Sequence, residues 1–174
     1  MNEIIKEKYI EEVLKVGGEF FAQFNDPTEI KATRENYEKI SSLHPSAYKF
    51  AVNEQGELIA WTVVIPTSKE LANDFIERRI TEQELLDKTE YSNTHDALYL
   101  FAAFTKPEYR GKGYVKKMTI AQVMEITENK PKETLVFAWT VSKEGEAAIV
   151  SVARDLGVVI KKRRKKEEAG RAEE

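Results

Sequence analysis

Two glycines separated by one residue follow a long apolar segment and precede a helical pattern. Residues 97–104 are all apolar or aromatic, which is typical of a strand buried on both faces. Gly111 and Gly113 permit backbone angles and close approaches that a side chain would prevent, and helical spacing begins directly after them. Because the first N–H groups of a helix have no internal partner and carry the positive end of its dipole, the sequence predicts an anion site at this turn.

Other glycine-rich phosphate motifs are absent from this turn. The chain has no Walker pattern, and Lys116 stands where the third glycine of a dinucleotide-binding pattern would lie. The prediction therefore depends on residues 110–115 and on the strand and helix that flank them. A surface turn without a ligand is the alternative interpretation of the same residues.

Composition limits the kinds of site that the chain can form. It has 174 residues, a net charge of −3 and no cysteine, which excludes disulfides, thiolate zinc sites and a cysteine nucleophile. A slightly acidic chain is not expected to bind nucleic acid, and two histidines far apart in sequence do not predict a metal site. No segment reaches the ~20 apolar residues of a membrane span, so we expect a cytoplasmic protein without membrane contact.

The sequence predicts two helices and a hairpin in the first half of the chain. Apolar residues recur at helical spacing over residues 5–24, and Gly17 and Gly18 predict a break, a kink or a close contact in that helix. Asp26 is the expected N-cap of a second helix that ends near residue 42. Residues 48–52 and 58–65 form the expected hairpin, which Pro66 ends.

The second half alternates strands and helices. Residues 67–96 form a long excursion, helical in part because Thr81 and Glu84 make a capping box. Strands are expected at 97–104, 134–140 and 158–160, with helices between them, the second closed by Gly157. This order predicts an α/β (α+β) fold, a mixed central sheet flanked by helices. We expect one domain over residues 1–166, whose basic end lies in solvent, and a charged tail over 167–174.

The glycine turn resembles a known family signature. Residues 107–113 read PEYRGKG, similar to the coenzyme-binding pattern Arg/Gln-x-x-Gly-x-Gly/Ala of the GNAT family of N-acetyltransferases. Arg110 and Gly113 match the first two fixed positions, whereas Val115 stands where the pattern has glycine or alanine. The resemblance covers residues 97–160 and implies acetyl-CoA as cosubstrate, without a metal. The implied coenzyme contacts are Ala102, Ala103 and Phe104 for the pantetheine arm, and Arg110, Gly111, Lys112, Gly113, Tyr114 and Val115 for the pyrophosphate.

The resemblance also shows where groups that move protons are expected. A tyrosine four residues before the final glycine often protonates the leaving sulfur in this family, but the chain has Ala153 there, or Val152 after a shift of one residue. Ser151 is the nearest hydroxyl in sequence. A glutamate at the start of the strand often acts as base, and the chain has apolar residues there. The candidates just upstream are Glu90, His95 and Asp96, and histidine suits a proton relay.

The resemblance implies a specific reaction with an unspecified substrate. We expect an enzyme of a single GNAT-like domain that transfers an acetyl group from acetyl-CoA to an amine carried by a small molecule or a peptide. The end of the excursion is expected to lie near that amine. A homodimer is left open. Two alternatives also stay open: a coenzyme-binding or regulatory module without turnover, and an interaction domain whose glycine turn binds no phosphate.

Overall fold

The computed structural model describes residues 3–21 and 26–164. These residues form six α-helices, five strands and two short 3₁₀ turns, the turns at Pro107–Tyr109 and Pro131–Glu133. In chain order the helices and strands are α1 (Glu3–Phe21), α2 (Arg34–Leu43), β1 (Tyr48–Val52), β2 (Leu58–Thr67), α3 (Lys69–Ile76), α4 (Glu82–Lys88), β3 (Ala97–Thr105), α5 (Tyr114–Ile126), β4 (Leu135–Ala138), α6 (Lys143–Leu156) and β5 (Ile160–Lys162). The expected tail at 167–174 lies outside the described residues.

The five strands form one mixed sheet in the order β1-β2-β3-β4-β5. The pairs β1–β2 and β2–β3 are antiparallel, whereas β3–β4 and β4–β5 are parallel. Parallel neighbours need a crossover, and α5 and α6 provide the two crossovers. The predicted mixed α/β sheet flanked by helices is therefore confirmed.

The helices cover the two faces of the sheet unequally. On one face, Tyr99 and Phe137 lie in a core with Tyr9 of α1, Ile40 of α2 and Phe75 of α3. On the other face, a separate core joins strand residues such as Leu98 and Val136 to α5 and α6. The four N-terminal helices thus occupy one face, and the two crossover helices occupy the other, as right-handed crossovers in one direction require.

The middle of β3 contains a β-bulge. Val63 pairs with Ala102 and the adjacent Val64 pairs with Leu100, so the register shifts by one residue and Phe101 is the extra residue of the bulge. Pairing with β4 ends at Leu100, although β3 continues to Thr105. The prediction that residues 97–104 are buried on both faces is correct for 97–100 and wrong beyond them, because the loss of β4 leaves the later residues partly exposed.

The second helix begins later than predicted. Its N-cap is Thr33, whose Oγ1 accepts a hydrogen bond from the Asn36 N–H at 3.2 Å. Asp26 instead forms a local turn, in which its carboxylate accepts hydrogen bonds from the N–H and the hydroxyl of Thr28. The carboxylate of Asp26 therefore accepts hydrogen bonds within its own turn rather than at the start of a helix. Residues 28–33 form an irregular connection.

Gly17 and Gly18 do not interrupt α1, which runs through both residues. The predicted break is absent, and among the described residues Gly17 makes no contact close enough to require a glycine. An added Cβ there would lie 3.7 Å from the Cβ of Ala32, in ordinary van der Waals contact.

Pro66 does not end β2, which continues to Thr67. Pro66 pairs with Leu98 of β3, whereas β1 reaches no further along β2 than the Tyr48–Val63 pair. The end of β2 therefore has a strand on one side only, where a missing N–H is tolerated.

Other local predictions are confirmed. The hairpin, the capping box of Thr81 and Glu84, and the left-handed Gly157 after α6 are all present. The basic segment differs from prediction at Arg163, which is only 8% exposed. Its guanidinium lies over the rings of Phe75 and Trp139, at 4.1 and 4.5 Å from their centroids. The segment is therefore not uniformly solvated, because aromatic faces can bind a planar cation.

Candidate functional site

The glycine turn has the geometry of an open helix start. Gly111 and Gly113 have φ angles of 76° and 78°, and Gly113 is the N-cap of α5 without any side-chain cap. The first helical hydrogen bond runs from the Lys117 N–H to the Gly113 carbonyl at 3.0 Å. The N–H groups of residues 114–116 therefore precede the helical ladder, and a Cβ on either glycine would meet no atom of the described residues within 4 Å.

Positive charge surrounds this helix start. Arg110 donates from Nε to the Thr105 carbonyl at 3.2 Å, and the Lys112 ammonium lies 5.0 Å from the centroid of the Tyr109 ring. Lys116 forms an ion pair with Asp155 at 2.5 Å, which lowers the pKa of that carboxyl group. The first turn of α5 contains no acidic residue. Asp155 offsets the charge of Lys116, so Arg110 and Lys112 are the positive side chains that add to the helix dipole and favour an anion here.

A cleft opens where β3 and β4 separate, and we call it the fork cleft. It holds about 810 Å³, including the open solvent at its mouth. Its walls include Ala102 and Ala103 of β3, Val115 of α5 and residues 138–142 after β4. Along it, no strand of the described residues pairs with the β4 side of β3 beyond Leu100. The cleft therefore joins a free strand edge to the start of α5.

Phe104 occupies a different position from the two alanines before it. Its ring stacks on Trp61 at a centroid distance of 4.4 Å, on the face with α1 and α2. Its side chain is not among those that line the fork cleft. Phe104 can therefore contribute to that cleft only through its backbone.

A second hollow, which we call the helical pocket, lies on the other face of the sheet. It holds about 440 Å³, including open solvent, between α1, α2 and the strands. Val63, Phe101 and Ala102 line both this pocket and the fork cleft. The two hollows therefore border the same part of the sheet, at the bulge of β3.

The residues expected near a leaving sulfur separate into two groups. Val152 lines the fork cleft, whereas Ala153 and Ser151 do not. Three hydroxyl residues that the sequence analysis missed also line it: Thr119, Thr140 and Ser142. Two of these hydroxyls already have partners, since Thr140 donates to Glu146 at 2.8 Å and Ser142 accepts the Gly145 N–H at 3.0 Å. For Thr140 and Ser142, the position just after β4 is the one sequence feature that could have indicated a role.

Glu90, His95 and Asp96 lie together at the opposite end of β3. They line a hollow before the first residue of the strand, where Asp96 accepts the Lys69 N–H at 2.8 Å. Burial lowers the pKa of His95, and nearby His44 lowers it further. The strand between this hollow and the glycine turn has 9 residues, or roughly 30 Å at ~3.3 Å per residue. The structure therefore groups the three residues but does not bring them to the fork cleft, and their acid–base role stays a prediction.

Glu82 is a buried acid that the sequence analysis did not select. Its carboxylate accepts hydrogen bonds from the Tyr99 hydroxyl and from the Ile30 N–H, the latter at 2.7 Å. Burial raises the pKa of Glu82 to about 7, although both hydrogen bonds favour its charged form. In sequence it looks like an ordinary acid in the first turn of a helix, so no local signal marks its burial.

The described residues contain neither a metal-binding cluster nor a helix that could span a membrane. No group of three or more histidine, aspartate or glutamate side chains within 3–21 and 26–164 could hold a metal ion. No helix in those same ranges is both long and apolar enough to cross a membrane.

Comparisons with known proteins do not identify the chain. No protein-family model matches its sequence, and no curated protein matches it. No solved structure matches its fold.

Proposed function

We propose that the protein is a GNAT-like N-acetyltransferase that binds acetyl-CoA across the fork cleft and the glycine turn. The observation that carries the proposal is the separation of β3 from β4 beyond Leu100, which leaves a free strand edge beside an uncapped helix start. The backbone of residues 102–104 would pair with the amides of the pantetheine arm. The N–H groups at the start of α5 would bind the pyrophosphate.

The turn has space and donors for a phosphate group. An added Cβ on Gly113 would meet none of the described residues within 4 Å, which leaves the space that a phosphate oxygen needs to approach the backbone. Arg110 and Lys112 are exposed beside it and can neutralise phosphate charge. Both features suit a diphosphate better than a neutral ligand.

The acceptor amine would approach the thioester from the helical pocket. The two hollows share Phe101 and Ala102, so the thioester carbonyl would lie near the bulge. The neutral amine attacks the carbonyl carbon, a C–N bond forms, the C–S bond breaks, and the amine loses one proton while the thiolate gains one. The protein's main contribution is to orient the two reactants and to exclude water from them.

The helical pocket favours an amine with an apolar body. Its described lining includes the rings of Tyr37, Tyr48 and Trp61, and Lys31 is the one charged residue among the described residues that line it. A polycation would find no carboxylate among these residues and would meet a like charge. An aromatic or branched alkyl amine suits the lining better.

Isothermal calorimetry with acetyl-CoA, followed by a thiol-release assay, tests the proposal. We expect binding, and faster thiol release with phenethylamine than with spermidine at equal concentration. Absence of acetyl-CoA binding would contradict the coenzyme site. Binding with faster release from spermidine would retain the coenzyme site and reject the apolar acceptor.

One observation favours a second function, coenzyme binding without turnover. No tyrosine is among the described residues that line the fork cleft, and the residue that faces it from α6 in the expected position is Val152. A protein without an acid for the leaving sulfur could still bind the coenzyme. Calorimetric binding without thiol release for any amine in a broad panel would support this alternative.

A further inference from the structure

Glu82 connects α4 to an irregular part of the chain far away in sequence. Its side chain is 3% exposed, and its carboxylate lies between the Tyr99 hydroxyl of β3 and the backbone of Ile30. The N–H groups of Glu82 and Gln83 also donate to the Thr28 carbonyl, at 3.0 and 3.3 Å. Three hydrogen bonds thus join the start of α4 to residues 28–30.

Residues 30–33 form one wall of the helical pocket. All four line it, although none of them belongs to a helix or a strand. Irregular backbone depends on contacts from elsewhere for its position. Where this wall enters α2, Asn36 and Gln83 exchange two side-chain hydrogen bonds at 3.0 and 3.1 Å. The first turn of α4 therefore holds both ends of the wall.

We infer that Glu82 is a positioning residue that fixes the Ile30–Thr33 wall of the helical pocket through its bond to the Ile30 N–H. Glu82 does not line the pocket, so it acts on a bound molecule only through the wall. The occupant of the pocket rests on the proposed function, whereas the position of the wall does not. In this inference, the long excursion between β2 and β3 shapes the helical pocket through α4, and not through Glu90 and Asp96.

The surroundings of Glu82 allow a substitution that keeps its contacts. The groups that face it are the Tyr99 hydroxyl from β3, Arg163 after β5, and Glu29, which directly precedes the wall. In Glu82→Gln the amide oxygen can accept the Ile30 N–H, and the amide N–H₂ can donate to the Tyr99 oxygen. In Glu82→Leu both contacts are lost. The pair of variants therefore separates a positioning role from a role as proton acceptor.

Hydrogen exchange and acceptor kinetics test the inference together. Because loss of a buried hydrogen bond typically favours local opening by about tenfold or more, we expect amide exchange over residues 30–36 to accelerate about tenfold in Glu82→Leu. The KM for phenethylamine should rise by about the same factor, since the wall shapes its pocket, with kcat and acetyl-CoA affinity changed by about twofold or less. Glu82→Gln should stay within about twofold of the parent in all four measurements, because it keeps both hydrogen bonds.

Other outcomes overturn the inference. Unchanged exchange and KM in Glu82→Leu would show that the wall does not need the contact. A loss of kcat in Glu82→Gln as large as in Glu82→Leu, with KM unchanged, would make Glu82 a proton acceptor instead. If Glu82→Leu does not fold, Glu82→Met replaces it, since it also loses both hydrogen bonds but has an unbranched side chain close to glutamate in length: we expect about tenfold faster exchange over residues 30–36, and no change would reject the inference.

The exchange measurement separates this inference from the proposed function. If the parent protein binds no acetyl-CoA and releases no thiol, the proposed function fails. Faster exchange in Glu82→Leu would still support a wall held by Glu82.

Discussion

The N-termini of α4 and α5 use the same helix physics in opposite ways. At α4, Thr81 and Glu84 form a complete capping box, and the first turn carries two acids that complement the dipole. At α5, Gly113 is the N-cap, no side chain caps the helix, and the first turn carries no acid. Side chains of α4 and its N-cap thus accept or complement the first N–H groups of that helix, whereas no side chain caps the first N–H groups of α5.

The missing side-chain cap at the start of α5 does not reflect a general lack of helix caps in this chain. Serine or threonine caps the starts of α2, α3, α4 and α6, and each of these helices has an acid in its first turn. An uncapped start costs stability relative to a capped one. The difference is that side chains accept the first N–H groups of α4, whereas the N–H groups at the start of α5 remain available to the anion that we propose.

The largest expected effect concerns pH and the buried acid of α4. The folded pKa of Glu82 is about 7, raised from 4.5 by burial, so the folded state binds its proton more tightly than the unfolded state. The resulting stability is fully present below about pH 4.5 and is lost as the pH rises through about 7, a difference of about 3 kcal/mol. Denaturant unfolding at pH 5 and pH 8 should show this loss in the parent and not in Glu82→Gln. Parallel pH dependence in the two proteins would contradict the buried-acid assignment.

The second effect concerns the open end of α5. In Gly113→Ala the new Cβ would occupy the space assigned to a phosphate oxygen, so acetyl-CoA affinity should fall about thirtyfold, or about 2 kcal/mol. Gly56→Ala is the matched control, because Gly56 also has a positive φ, 73°, and lies in the β1–β2 turn. Both variants should lose about 1 kcal/mol of unfolding free energy. Calorimetry should show weaker acetyl-CoA binding in Gly113→Ala than in Gly56→Ala. Equal affinities of the two variants would contradict a phosphate site at the turn.

The third effect concerns the cap of α4. Thr81→Ala removes the hydroxyl that accepts the Glu84 N–H, and should lower the free energy of unfolding by about 1 kcal/mol without changing acetyl-CoA affinity. Ser68→Ala at α3 is a useful comparison, since Ser68 caps its helix with one longer bond of 3.3 Å and should cost less. Denaturant unfolding gives both values. A larger loss at Ser68 would show that the capping box adds nothing to α4.

The contrast between the two helix starts also separates what the sequence predicts from what it does not. The capping box and the glycine turn depend on residues a few positions apart, so both could be predicted from local pattern. The bond from Ile30 to Glu82 spans 52 positions, and the stacking of Arg163 joins β5 to α3. Such contacts depend on how the sheet folds, which no local spacing encodes.

The separation of β3 from β4 is the clearest example of this limit. Residues 97–104 are uniformly apolar, which is typical of full burial. The pattern could not show that β4 ends at Ala138 or that Phe101 forms a bulge. Apolar residues that lie in an open cleft and apolar residues that lie in a core look the same in sequence. The candidate site was therefore predicted at the turn, and its cleft became visible only in the fold.

The smallest expected effect tests the one departure of the turn from the family pattern. Val115 is the second residue of α5 and lines the fork cleft, at the position where the resemblance has glycine or alanine. In Val115→Ala the loss of two methyl groups should let a phosphate approach the helix start more closely, so we expect acetyl-CoA affinity to rise about threefold, or about 0.7 kcal/mol. Val150→Ala in α6 is the control, since Val150 is 57% exposed and lies outside the cleft lining. Weaker binding in Val115→Ala alone would mean that the valine contacts the coenzyme favourably. The open start of α5 would then bind its ligand partly through apolar contact, and the contrast with α4 would concern more than unsatisfied N–H groups.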